Sequence, residues 1–530
     1  MEVNCSHISY QETGYFSKIV TDYLNQAPQL QPFYQHEVSL KGIKQSIEAR
    51  KKFNTNRTVL VEQLTKQYEG LPLTHKQQQN LQSLLSEHTF TITTAHQPNI
   101  FTGPLYFIYK IMHAIKLADD LKVLMPEYNF VPFYYMGSED ADLDELGYIN
   151  LGGEKLVWQT NQTGAVGRMK VDKNLLQLID CIYGQIGIHL HGNELINIFK
   201  LAYTEDKTIQ QATLELLNTL FQQFGLLVVI PDNATLKAEF NEVINKEIAE
   251  KFSHQIVQNT IDALNKNYKV QAAGRAINLF YLYENNRERI EQEGNLFTIK
   301  KLNKKFQLIE LQEEIKKYPE RFSANVILRG IFQETILPNI AFIGGGGELA
   351  YWLELKNVFE AVHVPYPLLV LRNSFLIIKD KINLLINSLN LSSTDLFKTK
   401  FELIESIVLQ TSGNQLNLDE EIDQIKRLYQ HIQHLSALVD ETLKQHAQAL
   451  ETTAVHKLTQ LEKKIRRAEK RKFTEVQTQI TKIKAELFPQ NNLQERVENF
   501  SLYYAREGNG WLQKIYDCSN GLDQKFTIII

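Results

Sequence analysis

With 530 residues, 43% hydrophobic and 22% charged, the chain has the make-up of a soluble globular protein and length for about two or three domains. Its formal net charge of −4 and pI near 6.4 speak against a polyanion-binding protein, which needs a basic surface. Cys5, Cys181 and Cys518 are far apart and form no CxxC, so neither a disulfide framework nor a structural zinc site is expected, and a reducing compartment is.

Met1 to Tyr23 is polar and mixed in charge, without the apolar stretch of a signal peptide, and the longest apolar runs (Leu226–Ile230, Leu368–Leu371) fall far short of the ~20 residues of a membrane span. The expected setting is the cytoplasm. Residues 1 to about 85 read as helical, with Val38 to Glu69 at helical spacing and a stop at Gly70-Leu71-Pro72. Thr89–Thr94 is a short β-rich run. It leads into His96-Gln97-Pro98-Asn99-Ile100-Phe101-Thr102-Gly103-Pro104, and then into an amphipathic helix over Leu105–Leu121. A second buried strand, Phe130–Met136, runs into Gly137-Ser138-Glu139-Asp140-Ala141-Asp142. Strand, helix, strand with ligand-type residues at both strand ends predicts a doubly wound sheet, in which ligands bind beyond the carboxyl ends.

Leu226–Ile230 is a third strand ending at Pro231-Asp232. Ala234 to Asn265 reads as helix, and Asn278–Glu284 and Leu296–Leu308 as β segments of an insertion. Ile340–Ile343 enters Gly344-Gly345-Gly346-Gly347-Glu348, a helix follows over Leu349–Val362, and Tyr366–Leu371 is a last apolar strand ending at Arg372. From about 376 the 3-4 spacing of apolar residues predicts a coiled coil. A single helix from Leu418 to Leu487 would be about 105 Å long at 1.5 Å per residue, and would pack on the 376–410 helices or on a second subunit. Phe526–Ile530 reads as a returning edge strand. The fold class is therefore α/β: a Rossmann-like doubly wound core over 1–375 with insertions at about 151–325, a helical coiled-coil domain at 376–490, and a segment at 491–530 returning to the core.

Several residues are candidates for chemistry. His96, Gln97 and Asn99 stand at a strand-to-helix turn, where amides and the helix dipole favour an anion and an imidazole can serve an oxyanion; the alternative is a capping turn. Thr102 and Gly103 would form the cradle, with Lys110 about two turns on reaching a phosphate. Ser138, Glu139, Asp140 and Asp142 put three carboxylates where they would accept an amine, act as a base or hold Mg²⁺; the alternative is an acidic helix N-terminus. Gly344, Gly345, Gly346, Gly347 and Glu348, with Tyr351 and Trp352 on the helix that follows, permit close approach of a nucleotide or substrate, although Trp352 equally suits the core. Arg372 would grip a carboxylate bidentately, or form a structural ion pair. The basic run Lys463–Lys472 reads as a solvated coiled-coil face.

AHQPNIFTGPLYFIYKIMHAIKLADDL, VPFYYMGSEDADLDEL, FSANVILRGIFQETILPNIAFIGGGGELAYWLELKNVFE, VPYPLLVLRNS and NNLQERVENF together resemble the bacillithiol biosynthesis cysteine-adding enzyme family. The family often has glycine where Asn99 stands and proline where Gly346 stands. The resemblance implies a Rossmann-like core, a coiled coil supporting a homodimer, and a ligase that joins the carboxylate of cysteine to the amine of glucosaminyl-malate. Such a reaction calls for carboxylate activation, most simply by ATP, through an acyl-adenylate or an acyl-phosphate. The expected roles are His96 and the 99–104 turn on the phosphate or oxyanion, Glu139, Asp140 and Asp142 on the amine or a metal, the Gly344–Glu348 loop on nucleotide or substrate, and Arg372 on the malate carboxylates. Competing readings are a ligase with another acceptor, a non-catalytic nucleotide-binding scaffold, and, by fold analogy alone, a tRNA-related binder. Neither nucleic acid nor membrane is an expected partner.

Overall fold

The computed structural model describes residues 5–269, 274–411 and 416–530. Eight strands frame the core: β1 (Cys5–Ile8), β2 (Thr89–His96), β3 (Asn129–Met136), β4 (Leu227–Val229), β5 (Asn339–Gly344), β6 (Leu368–Leu371), β7 (Phe375–Ile377) and β8 (Phe526–Ile529). Five of them make a wholly parallel sheet in the order β6-β5-β2-β3-β4. The chain runs outward from β2 through β3 to β4, returns, and runs the other way through β5 to β6. The doubly wound expectation holds, and the switch point lies between β2 and β5. Ligands of such sheets bind in the crevice that opens there, beyond the strands' carboxyl ends.

The central strands are apolar because helices cover the sheet. Phe90, Ile92, Phe130, Ile340, Ile343, Leu368 and Val370 share one buried cluster with Ile43 and Ile47 of the Leu40–Arg50 helix and with Ala114, Leu117, Ala118 and Leu121 of the Tyr106–Leu124 helix. The threonines of β2 are buried but satisfied: Thr94 Oγ1 donates to the Ile343 carbonyl at 2.8 Å, and Thr91 Oγ1 to Asn339 Oδ1 at 3.2 Å.

Five local expectations need correction. The first 85 residues are not all helical, since β1 pairs antiparallel with β8. Val38–Glu69 holds two helices, Leu40–Arg50 and Arg57–Gln67, and Ala234–Asn265 holds three. The tail strand β8 is no edge; it lies between β1 and β7, antiparallel to one and parallel to the other. Cys5 at the start of β1 and Cys518 at the C-terminal end of the Asn509–Asp517 helix meet in a disulfide across a sequence separation of 513, a proximity that spacing along the chain cannot reveal. Cys181 is free and exposed.

The chain divides into two compact units, residues 1–377 with 492–530, and residues 378–491. In the second unit the single 105 Å helix does not form. Asp440 leaves the helical region (φ −159°, ψ 125°) and its carboxylate accepts from Thr442 N at 2.8 Å, so a helix over Asp419–Val439 stops and another starts at Glu441, ending at Lys470. The two form a hairpin, with Gln433 Nε2 donating to Glu451 at 2.6 Å. The long helical region thus pairs within the chain. Thr474–Leu487 continues it, and Ile480 buries against Leu403, Ile404, Ile407 and Val408 of the Lys400–Thr411 helix. No helix among the described residues is long and apolar enough to cross a membrane.

Candidate active site at the switch point

β2 ends at His96, level with Met136 of β3, while the next residues of β5 are the glycine run. Lys110, on the first turns of the Tyr106–Leu124 helix, crosses the switch point to form an ion pair with Glu348 and donates to the Ala95 carbonyl at 2.8 Å. Glu348 also accepts from Gly345 N at 2.8 Å, which fixes it over the mouth of the loop. Lys110 is buried and Glu348 partly exposed. Burial pushes the Lys110 ammonium below its usual value while Glu348 opposes that shift.

His96 is half-buried, its ring 5.3 Å from that of Tyr106 and 5.7 Å from that of Phe107. Desolvation first, and then the Lys110 charge, lowers it to about 4, so it is neutral at pH 7. Its Nδ1 lies 3.2 Å from the Gln97 carbonyl. A carbonyl only accepts, so Nδ1 carries the proton and Nε2 keeps its lone pair.

The turn between His96 and the helix is different from expectation. Phe101, Thr102 and Gly103 all have positive φ (48°, 68° and 62°). This is costly for a β-branched residue such as Thr102 and persists only where the surroundings over-determine it. Its amides are spent internally: Asn99 N on Gln97 O at 2.9 Å, Phe101 N on Tyr203 Oη at 2.9 Å, Thr102 N on Asn99 O at 3.2 Å, Gly103 N on Ile100 O at 2.9 Å and Leu105 N on Glu498 O at 2.8 Å. These five amides are therefore not available as an anion cradle, and the positive charge beside the turn is that of Lys110. The hydroxyls of Thr102 and Ser138 are buried and have no hydrogen-bond partner among the described residues.

The acidic run after β3 also has a different role. Asp140 is held bidentately by Arg329, with Nη1 to Oδ2 at 2.9 Å, and lies 3.5 Å from Arg287 Nη1. Burial pushes its carboxyl up, but the two guanidiniums outweigh that and hold it below the ordinary value. Glu139 pairs with Lys237 and accepts from Ser323 Oγ at 3.0 Å. Lys237 also meets Asp232, at 3.2 Å, and Arg168 chelates Asp232 at 2.6 and 2.7 Å. Glu139 and Asp140 are thus engaged carboxylates, not a free acid pair. Asp142 is exposed and caps the Leu143–Leu146 turn through Glu145 N at 3.2 Å, the alternative anticipated for it. Among the described residues no group of three or more His, Cys, Asp and Glu is placed to hold a metal ion.

On the far side of the crevice, Arg372 is committed to Glu495: Nη1 to Oε2 is 2.9 Å and Nη2 to Oε1 is 2.7 Å, with Ser374 Oγ at 3.0 Å, all buried. It is a structural ion pair rather than a free fork for malate. Trp352 is core, stacked on Phe342 at 4.3 Å, whereas Tyr351 stays half-buried. Of the glycines, Gly345 lies between Glu348 and Arg372, where a Cβ would make ordinary contacts at 3.4 and 3.5 Å with their polar atoms. A Cβ on Gly344 would meet the Phe342 ring at 2.9 Å and one on Gly346 would touch Val20 at 3.3 Å, while Gly347 has open space.

His96, Lys110 and Glu348 therefore come together as the sequence suggested, with Gln97, Asn99, Thr102, Gly103 and the glycine run around them. Sequence reasoning missed Arg329, Arg287, Lys237, Asp232 and Arg168 around the acids, and Glu495 and Asn499 behind the crevice. Arg329, Glu495 and Asn499 stood within motif-bearing stretches, and Asp232 shortly after a strand; Arg287, Lys237 and Arg168 carry no local signal.

The profile described as the bacillithiol biosynthesis BshC N-terminal Rossmann-like domain matches residues 1–373, and that of the BshC C-terminal coiled-coil domain matches residues 375–530. Curated relatives carrying the name "Putative cysteine ligase BshC" include those of Flavobacterium johnsoniae (38% identical, 100% of both chains), Flavobacterium psychrophilum (37%, 100% of this chain and 99% of the relative) and Christiangramia forsetii (36%, 100% and 99%). End to end, and with a switch-point crevice where its motifs predict one, the chain belongs to the bacillithiol biosynthesis BshC family.

Proposed function

We propose that the protein is a cysteine ligase of bacillithiol biosynthesis, forming an amide between the carboxylate of cysteine and the amine of glucosaminyl-malate. The observation that supports this best is the crevice itself: a neutral imidazole beside a buried cation that one carboxylate holds in place. The attacking nitrogen must lose a proton as the C–N bond forms, and His96 Nε2 has the lone pair to take it. The Lys110 charge stabilises negative charge on the carbonyl oxygen as it develops, or on a phosphate. Glu348 keeps Lys110 ionised and aimed. Neutral His96 does not compete with the amine for protons until attack begins.

A free carboxylate needs activation, which ATP would supply by carrying off one carboxylate oxygen. Lys110 and the unpartnered Thr102 and Ser138 hydroxyls suit its phosphates. Glu139, Asp140 and Asp232 do not suit a protein-held Mg²⁺, because Lys237, Arg168, Arg287 and Arg329 already engage them. Mg²⁺ in this reading travels with the nucleotide. The reading also carries a homodimer and a cytoplasmic setting.

The test is reconstitution. Purified protein, cysteine, glucosaminyl-malate, ATP and Mg²⁺ are incubated, and thiol and nucleotide products are followed by mass spectrometry. The amide product is expected, with AMP marking an adenylate route and ADP a phosphate route. A folded protein that forms no amide overturns the proposal.

A further inference from the structure

The residues between the coiled-coil unit and the last helices form a strap behind both lips of the crevice. Gln494 brackets Ile377, accepting from its N at 2.9 Å and donating to its O at 3.1 Å. Glu495 takes Arg372. Glu498 O takes Leu105 N. Asn499 then does the most specific work: buried, it donates from Nδ2 to the carbonyl of Phe101 at 2.9 Å and to that of Gly103 at 2.6 Å. Its Oδ1 is fixed by Ser501 N at 3.0 Å and Ser501 Oγ at 2.5 Å, and its own N donates to Asn150 O at 3.0 Å.

We propose that Asn499 is a positioning residue for the reaction: by clamping the carbonyls on either side of Thr102 it imposes the turn that sets His96 against Lys110. The chemistry of the contact explains the choice of residue. Three successive positive-φ residues turn two carbonyls toward one place, and an amide NH₂ offers two donors on one rigid plane. A hydroxyl has one. A carboxylate has none, and would face both oxygens with its own. The turn is strained, so its geometry depends on this external partner rather than on local preference. His96 stands immediately before the turn and Lys110 shortly after it, so a relaxed turn changes their separation and lets water reach the ring.

The inference rests on the proposed roles of His96 and Lys110, and its test must fail separately from them. Full-length protein with labelled histidines is titrated by NMR, with His96 assigned by its absence in His96→Gln. Asn499→Asp, nearly isosteric, is compared with wild type for His96 titration and for kcat/KM in the reconstituted reaction. The expected result is His96 titrating about one pH unit higher as desolvation relaxes, while buried His36 and His113 stay in place, with kcat/KM lower by roughly 10- to 100-fold. An unchanged His96 with kcat/KM within about twofold of wild type would overturn the proposal. So would a shift of all three histidines together, which marks a general loosening. Should Asn499→Asp not fold, Asn499→Ser, which retains one donor, is read by the same criteria with a smaller shift. If wild type forms no amide, the functional proposal fails while the His96 titration still decides this one.

Discussion

The outer end and the centre of the sheet's carboxyl edge handle charge in opposite ways. Beyond β3 and β4, Glu139, Asp140 and Asp232 are matched by Lys237, Arg168, Arg287 and Arg329, so three carboxylates sit among four cations. Between β2 and β5, one ammonium and one carboxylate face an imidazole that burial keeps neutral. The crowded end has spent its charges on one another and behaves as a fastener. The sparse centre keeps capacity in hand: a lone pair on His96, and a cation whose partner is partly open to solvent. Density of ionisable residues is a poor guide to chemistry; unspent capacity is a better one.

The contrast is sharpest in two substitutions. His96→Gln at the sparse centre should cost turnover about 10²- to 10⁴-fold while leaving the thermal midpoint within a few degrees, because a half-buried polar group replaces another. Steady-state kinetics beside a melting curve checks both halves, and full turnover would remove His96 from the chemistry. Asp140→Asn at the crowded end should do the reverse. It leaves Arg329 and Arg287 uncompensated and should cost on the order of 3 kcal/mol in denaturant unfolding. A variant as stable as wild type would mean the cluster is not a fastener.

Acid should weaken the fold through histidines. His36, His96 and His113 are each pushed by burial to about 4, below the ordinary 6.5. The unfolded chain therefore binds more protons between those values, and the stability these groups confer is present above pH 6.5 and lost as pH falls toward 4. For fully buried His113, fixed between Gly521 O (2.7 Å) and Asn373 N (3.0 Å), this is worth up to about 3 kcal/mol; half-buried His96 contributes less. Melting curves from pH 7.5 to 4.5 should show a decline beginning near 6.5, and a midpoint independent of pH over that range would contradict it. The smallest effect belongs to Asp142→Ala. Loss of an exposed cap on a four-residue turn should cost about 0.5 kcal/mol and leave turnover intact, whereas a loss of turnover would return Asp142 to the site.

Much of this was legible in the sequence. The buried parallel strands read clearly because sheets covered on both faces are written as continuous apolar runs, and their ends marked His96, Ser138 and Gly344 at once. What was not legible came from elsewhere in the chain. Asp140 looked free because Arg329 and Arg287 lie 189 residues and more than a hundred residues away, on other elements. Arg372 looked available because Glu495 arrives only after the coiled coil. The hairpin turn at Asp440 has neither proline nor glycine to announce it, only a capping aspartate that reads equally well as a solvated helix residue. Cys5 and Cys518 gave no hint of meeting, since the tertiary placement of a strand start and a distant helix end, not spacing, brings them together.

The strap and β8 are made long after the sheet they complete. A ribosome that has finished β7 must still produce the whole helical unit before Glu495 and Asn499 emerge, which at ~5–20 residues per second is a delay on the order of ten seconds. Through that interval Arg372 is a cation without its carboxylate, the Phe101–Gly103 turn lacks its clamp, and β1 has no neighbour. Any part of the core that folds in that interval does so without this ion pair, this clamp and this strand neighbour, which residues 495–529 supply last.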